Sequence, residues 1–299
     1  MDLISVSRKY KNIKNAIIIT AFIALAIILV IIIKETNQNK KYKKIYTSYE
    51  NQINQLKQDE QVIEEQKKIE EENARKNQLP QLTEEAKNEF NNLYHSDKKR
   101  VFLTFDDGPS KNVTPMVLDT LKQENIKATF FLLGSRVELE PEMAKREYNE
   151  GHYLASHGYS HVYSQIYASP QSVLDEYNKS VVAIRNAIGV QEYEPHLFRF
   201  PGGYAGGKYA SIKKEAAQLL DQNGILHVDW NALTSDAAGA KTTDEFIAEL
   251  DKTVPKHNSV VVLMHDAGNK TATAEALPTI IKYFRERGFE FENFYNIMK

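Results

Sequence analysis

"RVFLTFDDGPS", residues 100–110, is the stretch that decides the fold of this chain. The run from Val101 to Phe105 has the apolar, aromatic and β-branched content of a buried strand. It stops at two adjacent carboxylates, Asp106 and Asp107, followed by a glycine and a proline. Asp, Gly and Pro are all turn residues for steric reasons, so a tight turn accounts for the pair cheaply. A metal ligand with a base beside it, set where a strand gives way to a loop, accounts for it as well. The rest of the sequence has to choose.

Downstream of Arg100, short apolar runs alternate with amphipathic ones. "VFLTF", "ATFFLL", "HYLAS", "HLFRF", "ILHVDW", "SVVVLMH" and "FEFENF" read as strands. "QSVLDEYNKSVVAIRNAIG", "SIKKEAAQLLDQNG" and "ALPTIIKYFRERG" read as helices, each closed by a glycine. Such alternation predicts parallel α/β architecture, as a barrel or an open doubly wound sheet. The polar residues then fall into a pattern. Asp106 and Asp107 follow the first strand, His157 and His161 follow "HYLAS", and Arg199 ends "HLFRF". Asp229 and Trp230 close "ILHVDW", and His265 and Asp266 close "SVVVLMH". Functional groups in α/β folds gather where strands end, so five separate segments are expected to converge on one face.

The chain has 299 residues, a formal net charge of −2 and no cysteine. No global basic field points to nucleic acid. Disulfides, thiol nucleophiles and thiolate ligands are excluded, which leaves His, Asp and Glu to hold any metal. The four-residue spacing of His157 and His161 would put two imidazoles on one face of a helix or helical turn. Two His and a carboxylate with open positions form a recognised catalytic metal arrangement, and Asp107 supplies the carboxylate. Asp106 is then free to act as a base. A free Asp, with pKa about 3.9, is a poor base towards bulk water, but a metal lowers the pKa of a bound water towards ~7. His265 is the expected acid, with Asp229 as its partner and Asp236 and Asp266 as alternatives. Taken singly, each feature has a blander explanation. The two Asp read as a turn, the His pair as surface or core residues, Arg199 as a surface ion pair and "PGG" as a turn with Gly203 at positive φ. His95, His152, His196, His227 and His257 match no motif.

From about Arg100 to Asn296 the chain resembles the polysaccharide deacetylase family, also called the NodB-homology or carbohydrate esterase family 4 domain. "TFDDG" matches its first motif, "HGYSH" is similar to its second, and "RFPGG", "VDW" and "LMH" stand for the third to fifth, in family order. The resemblance implies a distorted (β/α) barrel and a divalent metal, commonly Zn2+. It makes Asp106 the base and Asp107, His157 and His161 the metal ligands. Arg199 would orient Asp106, and Asp229 would partner His265, the acid. Trp230 and Leu263 would wall the acetyl pocket, and the N–H of Gly202 would help hold the oxyanion. The chain departs from the pattern at Gly158, where Ser or Thr is usual, and at Gly202, where an aromatic is usual, with Tyr204 two places later. Those departures bear on the sugar groove.

Ahead of this domain, Ala16–Ile33 is a run of roughly 18 uncharged residues, which as a helix covers about 27 Å, near a bilayer core. "KETNQNKK" after it offers no small-residue cleavage site, so an uncleaved anchor is expected, with 1–15 as a cytoplasmic tail. Basic residues flank both ends, so charge counting leaves the orientation open, and the domain is placed outside because of its substrate. Residues 34–97 form a Lys/Glu/Gln/Asn-rich stalk. Tyr42, Tyr49, Leu56 and Ile63 recur every seven residues in it, a hint of a helix able to pair chains, with a solvated single helix or a disordered spacer as the alternatives. Residues 98–299 are the expected catalytic domain. The function expected is metal-dependent N-deacetylation of peptidoglycan N-acetylglucosamine. The alternatives are an O-acetyl esterase acting on a polysaccharide and a non-catalytic wall-binding protein. A phosphohydrolase lacks support, because no glycine-rich phosphate cradle accompanies the site.

Overall fold

The computed structural model describes residues 3–34, 39–76 and 79–298. It divides into two compact units, Met1–Lys76 and Asn77–Lys299. Residues 1–2 of the expected tail, 35–38 and 77–78 of the expected stalk, and 299 lie outside the described residues.

The first unit consists of two helices, Leu3–Lys34 and Asn39–Lys76. Within the first, Lys11–Ile32 has a mean hydropathy of 3.0 and is long and apolar enough to cross a membrane. Ile19, Phe22 and Val30 are exposed, as expected of a helix apolar on all sides. The helix fits an anchor or a signal sequence. The second helix favours the helical reading of the stalk over the disordered one.

The second unit begins at Asn77, well before the boundary at residue 98 expected from composition. The reason is packing. Thr83 caps helix Glu84–Asn91 by accepting from the Ala86 N–H at 3.1 Å. Ala86, Phe90 and Leu93 recur at helical spacing, and all three pack into a core cluster that contains Phe102 and Phe294. Gln81 N–H donates to the Met298 carbonyl at 3.2 Å, and buried Arg100 pairs with Glu89 at 2.6 Å and Glu292 at 3.2 Å.

Eight parallel strands form one curled sheet. In chain order they are β1 (Arg100–Asp106), β2 (Thr129–Leu132), β3 (Tyr153–Ser156) and β4 (Leu197–Phe198). β5 (Leu226–His227), β6 (Ala232–Leu233), β7 (Ser259–His265) and β8 (Glu290–Glu292) complete it. Their order is β5-β4-β3-β2-β1-β7-β6, with β8 also paired to β1. Among the described residues no pairing joins β5 to β6, so the sheet is a distorted barrel left open at one seam. β1 is buried along its whole length, the position that a continuous apolar run in a parallel sheet requires. Its register with β7 runs from Arg100–Ser259 to Asp106–His265, which sets the base candidate and the acid candidate side by side at the strand ends.

All seven sequence-predicted strands are present. Helices Pro170–Ile188, Ala210–Gln222 and Thr271–Glu286 correspond to the three predicted helical patterns. The first of these ends at Gly189, whose φ of 73° is the left-handed cap glycine adopts without steric penalty. β6 was not predicted. It is two residues long and sits in the polar run "NALTSD", too short to show a period.

Candidate active site

Each element that carries a site residue ends on the same rim of the sheet. At the end of β1 the backbone turns so sharply that Asp107 adopts φ 72°, a left-handed conformation that costs a non-glycine residue about 1–3 kcal/mol. Gly108 follows, because a Cβ there would overlap the carboxylate of Asp266. Asp107 thereby faces both histidines, with its Oδ1 3.6 Å from His157 Nε2 and 3.4 Å from His161 Nε2. The ligand atoms of the three residues all lie within 4.8 Å of one another. The histidines do not share a helix face, as their spacing had suggested. They sit on a loop, with His161 itself left-handed at φ 56°, and helix Tyr163–Ile166 begins only after them. Glu176 shapes that loop by accepting from the N–H groups of Tyr159 and Ser160, both at 2.7 Å, and from the Ser160 hydroxyl at 2.8 Å. Gly158 fits there because φ is 84° and a Cβ would press on Ile166.

His157 Nδ1–H donates to the Arg199 carbonyl at 2.8 Å, which fixes the tautomer and leaves Nε2 as an acceptor. Burial is the main force on its pKa, drawing it down to about 3, so the ring is neutral. The Oδ1 of Asp107 is buried with no hydrogen-bond partner among the described residues. A buried orphan carboxylate oxygen facing two Nε2 atoms is a poor arrangement by itself and a good one for a divalent cation, and the donor set suits one such as zinc.

Asp106, beside the cradle, is 2% exposed. Arg199 Nη1 donates to its Oδ1 at 2.8 Å and to Thr104 Oγ1 at 2.7 Å. The same guanidinium donates to the carbonyls of Val228 at 3.2 Å and Asp229 at 3.0 Å, and lies over the Phe131 ring. Burial pushes the Asp106 carboxyl above its ordinary pKa, with the charge of Arg199 opposing it.

The acid candidate requires a correction. His265 Nδ1–H donates to Asp236 Oδ1 at 2.9 Å, and its backbone N–H donates to Oδ2 at 2.9 Å. Thr273 and Lys270 also donate to Asp236, through carboxylate and carbonyl respectively. Asp236, in the loop after β6, is therefore the partner in place of Asp229. Asp229 is engaged elsewhere, with both carboxylate oxygens accepting from Tyr204 N–H at 3.0 Å. Asp266 is likewise engaged, accepting from Thr114 Oγ1 at 2.5 Å. Burial disfavours the imidazolium of His265, but Asp236, with Asp106 and Asp107, outweighs it and raises the pKa above the ordinary value.

A family model for polysaccharide deacetylases matches residues 94–225. A peptidoglycan-N-acetylglucosamine deacetylase of Bacillus cereus is 34% identical over 221 residues, covering 72% of this chain and 75% of that one. The chain belongs to the polysaccharide deacetylase family. The protein PgdA of Listeria monocytogenes, likewise named a peptidoglycan-N-acetylglucosamine deacetylase, is 37% identical over 197 residues. That match covers 64% of this chain and 37% of the Listeria protein, so the chain spans little more than a third of that relative. The solved structure of a Streptococcus mutans CE4 esterase aligns with a TM-score of 0.62 at 34% identity, covering 68% of this chain and 88% of that one.

In this member of the polysaccharide deacetylase family the "RFPGG" turn is braced by two buried side chains. Tyr167 Oη donates to the Pro201 carbonyl at 2.7 Å, and buried Lys213 donates to the Gly203 carbonyl at 2.6 Å. Gly202 and Gly203 have φ of 75° and 78°, and a Cβ on Gly203 would meet the Trp230 ring at 3.0 Å. Trp230 is thus packed against the turn. Leu263 is the one residue of β7 that is not fully buried. Sequence reasoning missed Glu176 and Lys213, which shape the two loops and carry no motif signal.

Proposed function

We propose that this chain hydrolytically removes N-acetyl groups from an extracytoplasmic aminosugar polymer, with peptidoglycan N-acetylglucosamine as the substrate. One observation carries the reading: a buried Asp106 held by Arg199 lies in register beside the His265–Asp236 pair, with the Asp107–His157–His161 cradle at the same rim. The Bacillus and Listeria relatives, both named peptidoglycan-N-acetylglucosamine deacetylases, support the substrate.

Asp107, His157 and His161 would hold a divalent cation, Zn2+ in this reading, which would supply Lewis acidity and lower the pKa of the attacking water. Asp106 accepts the proton of that water, with Arg199 fixing the carboxylate and leaving Oδ2 free of it. The Gly202 N–H donates to the acyl oxygen as negative charge develops there. His265, whose protonated form Asp236 favours by holding its Nδ1–H, gives its Nε2 proton to the nitrogen as the C–N bond breaks. Acetate and a free amine result. Trp230 and Leu263 enclose the acetyl methyl.

The apolar helix fits this reading as a membrane anchor that keeps the domain beside the wall, and helix Asn39–Lys76 as a stalk able to pair chains. A second reading, an O-acetyl esterase built on the same residues, is favoured by the name of the Streptococcus mutans relative. Acetate release by the full chain from matched N-acetylated and O-acetylated oligosaccharides separates the two. Faster release from the N-acetylated set is expected. Release confined to the O-acetylated set contradicts the proposal, and no release from either, with metal bound, points to a wall-binding role.

A further inference from the structure

We infer that Tyr163 is a substrate-contacting residue whose phenolic O–H donates to the acyl oxygen beside the Gly202 N–H, an inference that rests on the deacetylase reading of this site. Tyr163 opens helix Tyr163–Ile166, and its ring centroid lies 5.5 Å from the ring of His161. The rings of Tyr167 and Tyr209 meet it edge-on at 5.7 Å and 6.4 Å, so packing holds its plane while the residue stays 40% exposed at the rim.

The decisive contact is across the loop. A Cβ built on Gly202 would stand 2.5 Å from Tyr163 Oη. The space a side chain would take at the oxyanion turn is therefore filled by a hydroxyl from the metal-ligand loop. That hydroxyl has no hydrogen-bond partner among the described residues, and a neutral phenol is a donor. The neighbouring tyrosines are occupied differently. Tyr167 Oη is bound to the Pro201 carbonyl, and the Tyr204 ring packs on His227 at 4.5 Å. Tyr163 thus stands between the His161 imidazole and the Gly202 backbone with its donor unused, at the place where the acyl oxygen must sit to reach both.

Tyr163→Phe keeps the ring and removes only the donor. In the full chain in detergent, acting on an N-acetylglucosamine tetramer, kcat should fall about tenfold or more with KM, bound zinc and melting temperature unchanged. Gly202→Ala probes the same geometry from the other side, since its Cβ must displace the hydroxyl. Its cost should be smaller in the Tyr163→Phe background than in the wild type, which is the coupling a shared site requires. A drop in kcat under about threefold, a change in KM alone, or additive costs in the double variant overturns the inference. Loss of zinc in Tyr163→Phe also overturns it, by showing that the hydroxyl supports the ligand loop instead. An inactive wild type in the same assay refutes the deacetylase reading and not this contact.

Discussion

At the end of β3, His157 gives its Nδ1–H to a backbone carbonyl, and burial draws its pKa down to about 3. At the end of β7, His265 is almost as buried, but it gives its Nδ1–H to the Asp236 carboxylate, and its pKa is raised. One side chain in two comparably dry places is thereby pushed in opposite directions. The atom that accepts from Nδ1 makes the difference. A carbonyl fixes the tautomer and leaves a neutral nitrogen free to ligate, whereas a carboxylate stabilises the cation and makes a proton donor. Burial alone does not assign a role; the partner on the second nitrogen does.

Four results would break or sharpen that contrast. The largest effect belongs to the ligand side. Asp107→Ala should lose bound metal and about 10³-fold or more in turnover together, read by metal analysis and acetate release on one preparation. Metal retained at full stoichiometry would remove Asp107 from the ligand set. Asp106→Asn should lose about 10²–10⁴-fold in kcat while keeping its metal, and near-normal turnover would sink the base assignment.

The third result addresses the acid side. An acid of raised pKa stays protonated to higher pH, and activity falls as pH rises through that pKa. Asp236→Asn removes the main source of the raise, so the alkaline limb of the kcat profile should move to lower pH. Asp229→Asn should leave that limb in place, because Asp229 binds the Tyr204 N–H. The opposite outcome would restore Asp229 as the partner.

The smallest effect is on stability. His152 is buried, and burial, with the charges of Lys127 and Arg146, holds its pKa down at about 3. The unfolded chain takes up this proton near pH 6.5 and the folded one refuses it, so stability should fall as pH drops from about 6.5 towards 3. His152→Asn keeps an acceptor for the Ala128 N–H and should flatten that part of the melting-temperature curve. An unchanged slope would show that His152 does not contribute.

The strands and the chemistry-bearing residues at their ends were legible because apolar runs that stop at Asp, His or Arg are local signals. Asp106, Asp107, His157, His161, Arg199 and His265 needed no knowledge of the fold to be singled out. The partner of His265 was different. Asp229, Asp236 and Asp266 all lie near strand ends, and which one reaches the imidazole depends on the path of the loop after β6. No local pattern encodes that path. The stalk boundary was missed for a compositional reason, since the Lys, Glu and Asn of the stalk continue through residues 84–92. The Ala86, Phe90 and Leu93 stripe within it was the available evidence of a packed helix. The loop course of "HGYSH" was hidden because a four-residue spacing looks the same in a helix and in a turn held by left-handed residues.

The most direct measurement is acetate release from N-acetylglucosamine oligomers and peptidoglycan by the full chain, first stripped of metal and then given zinc. The site described here predicts no release when stripped and restored release with zinc. Release that persists without metal, or a zinc-loaded folded chain that releases none, would contradict it.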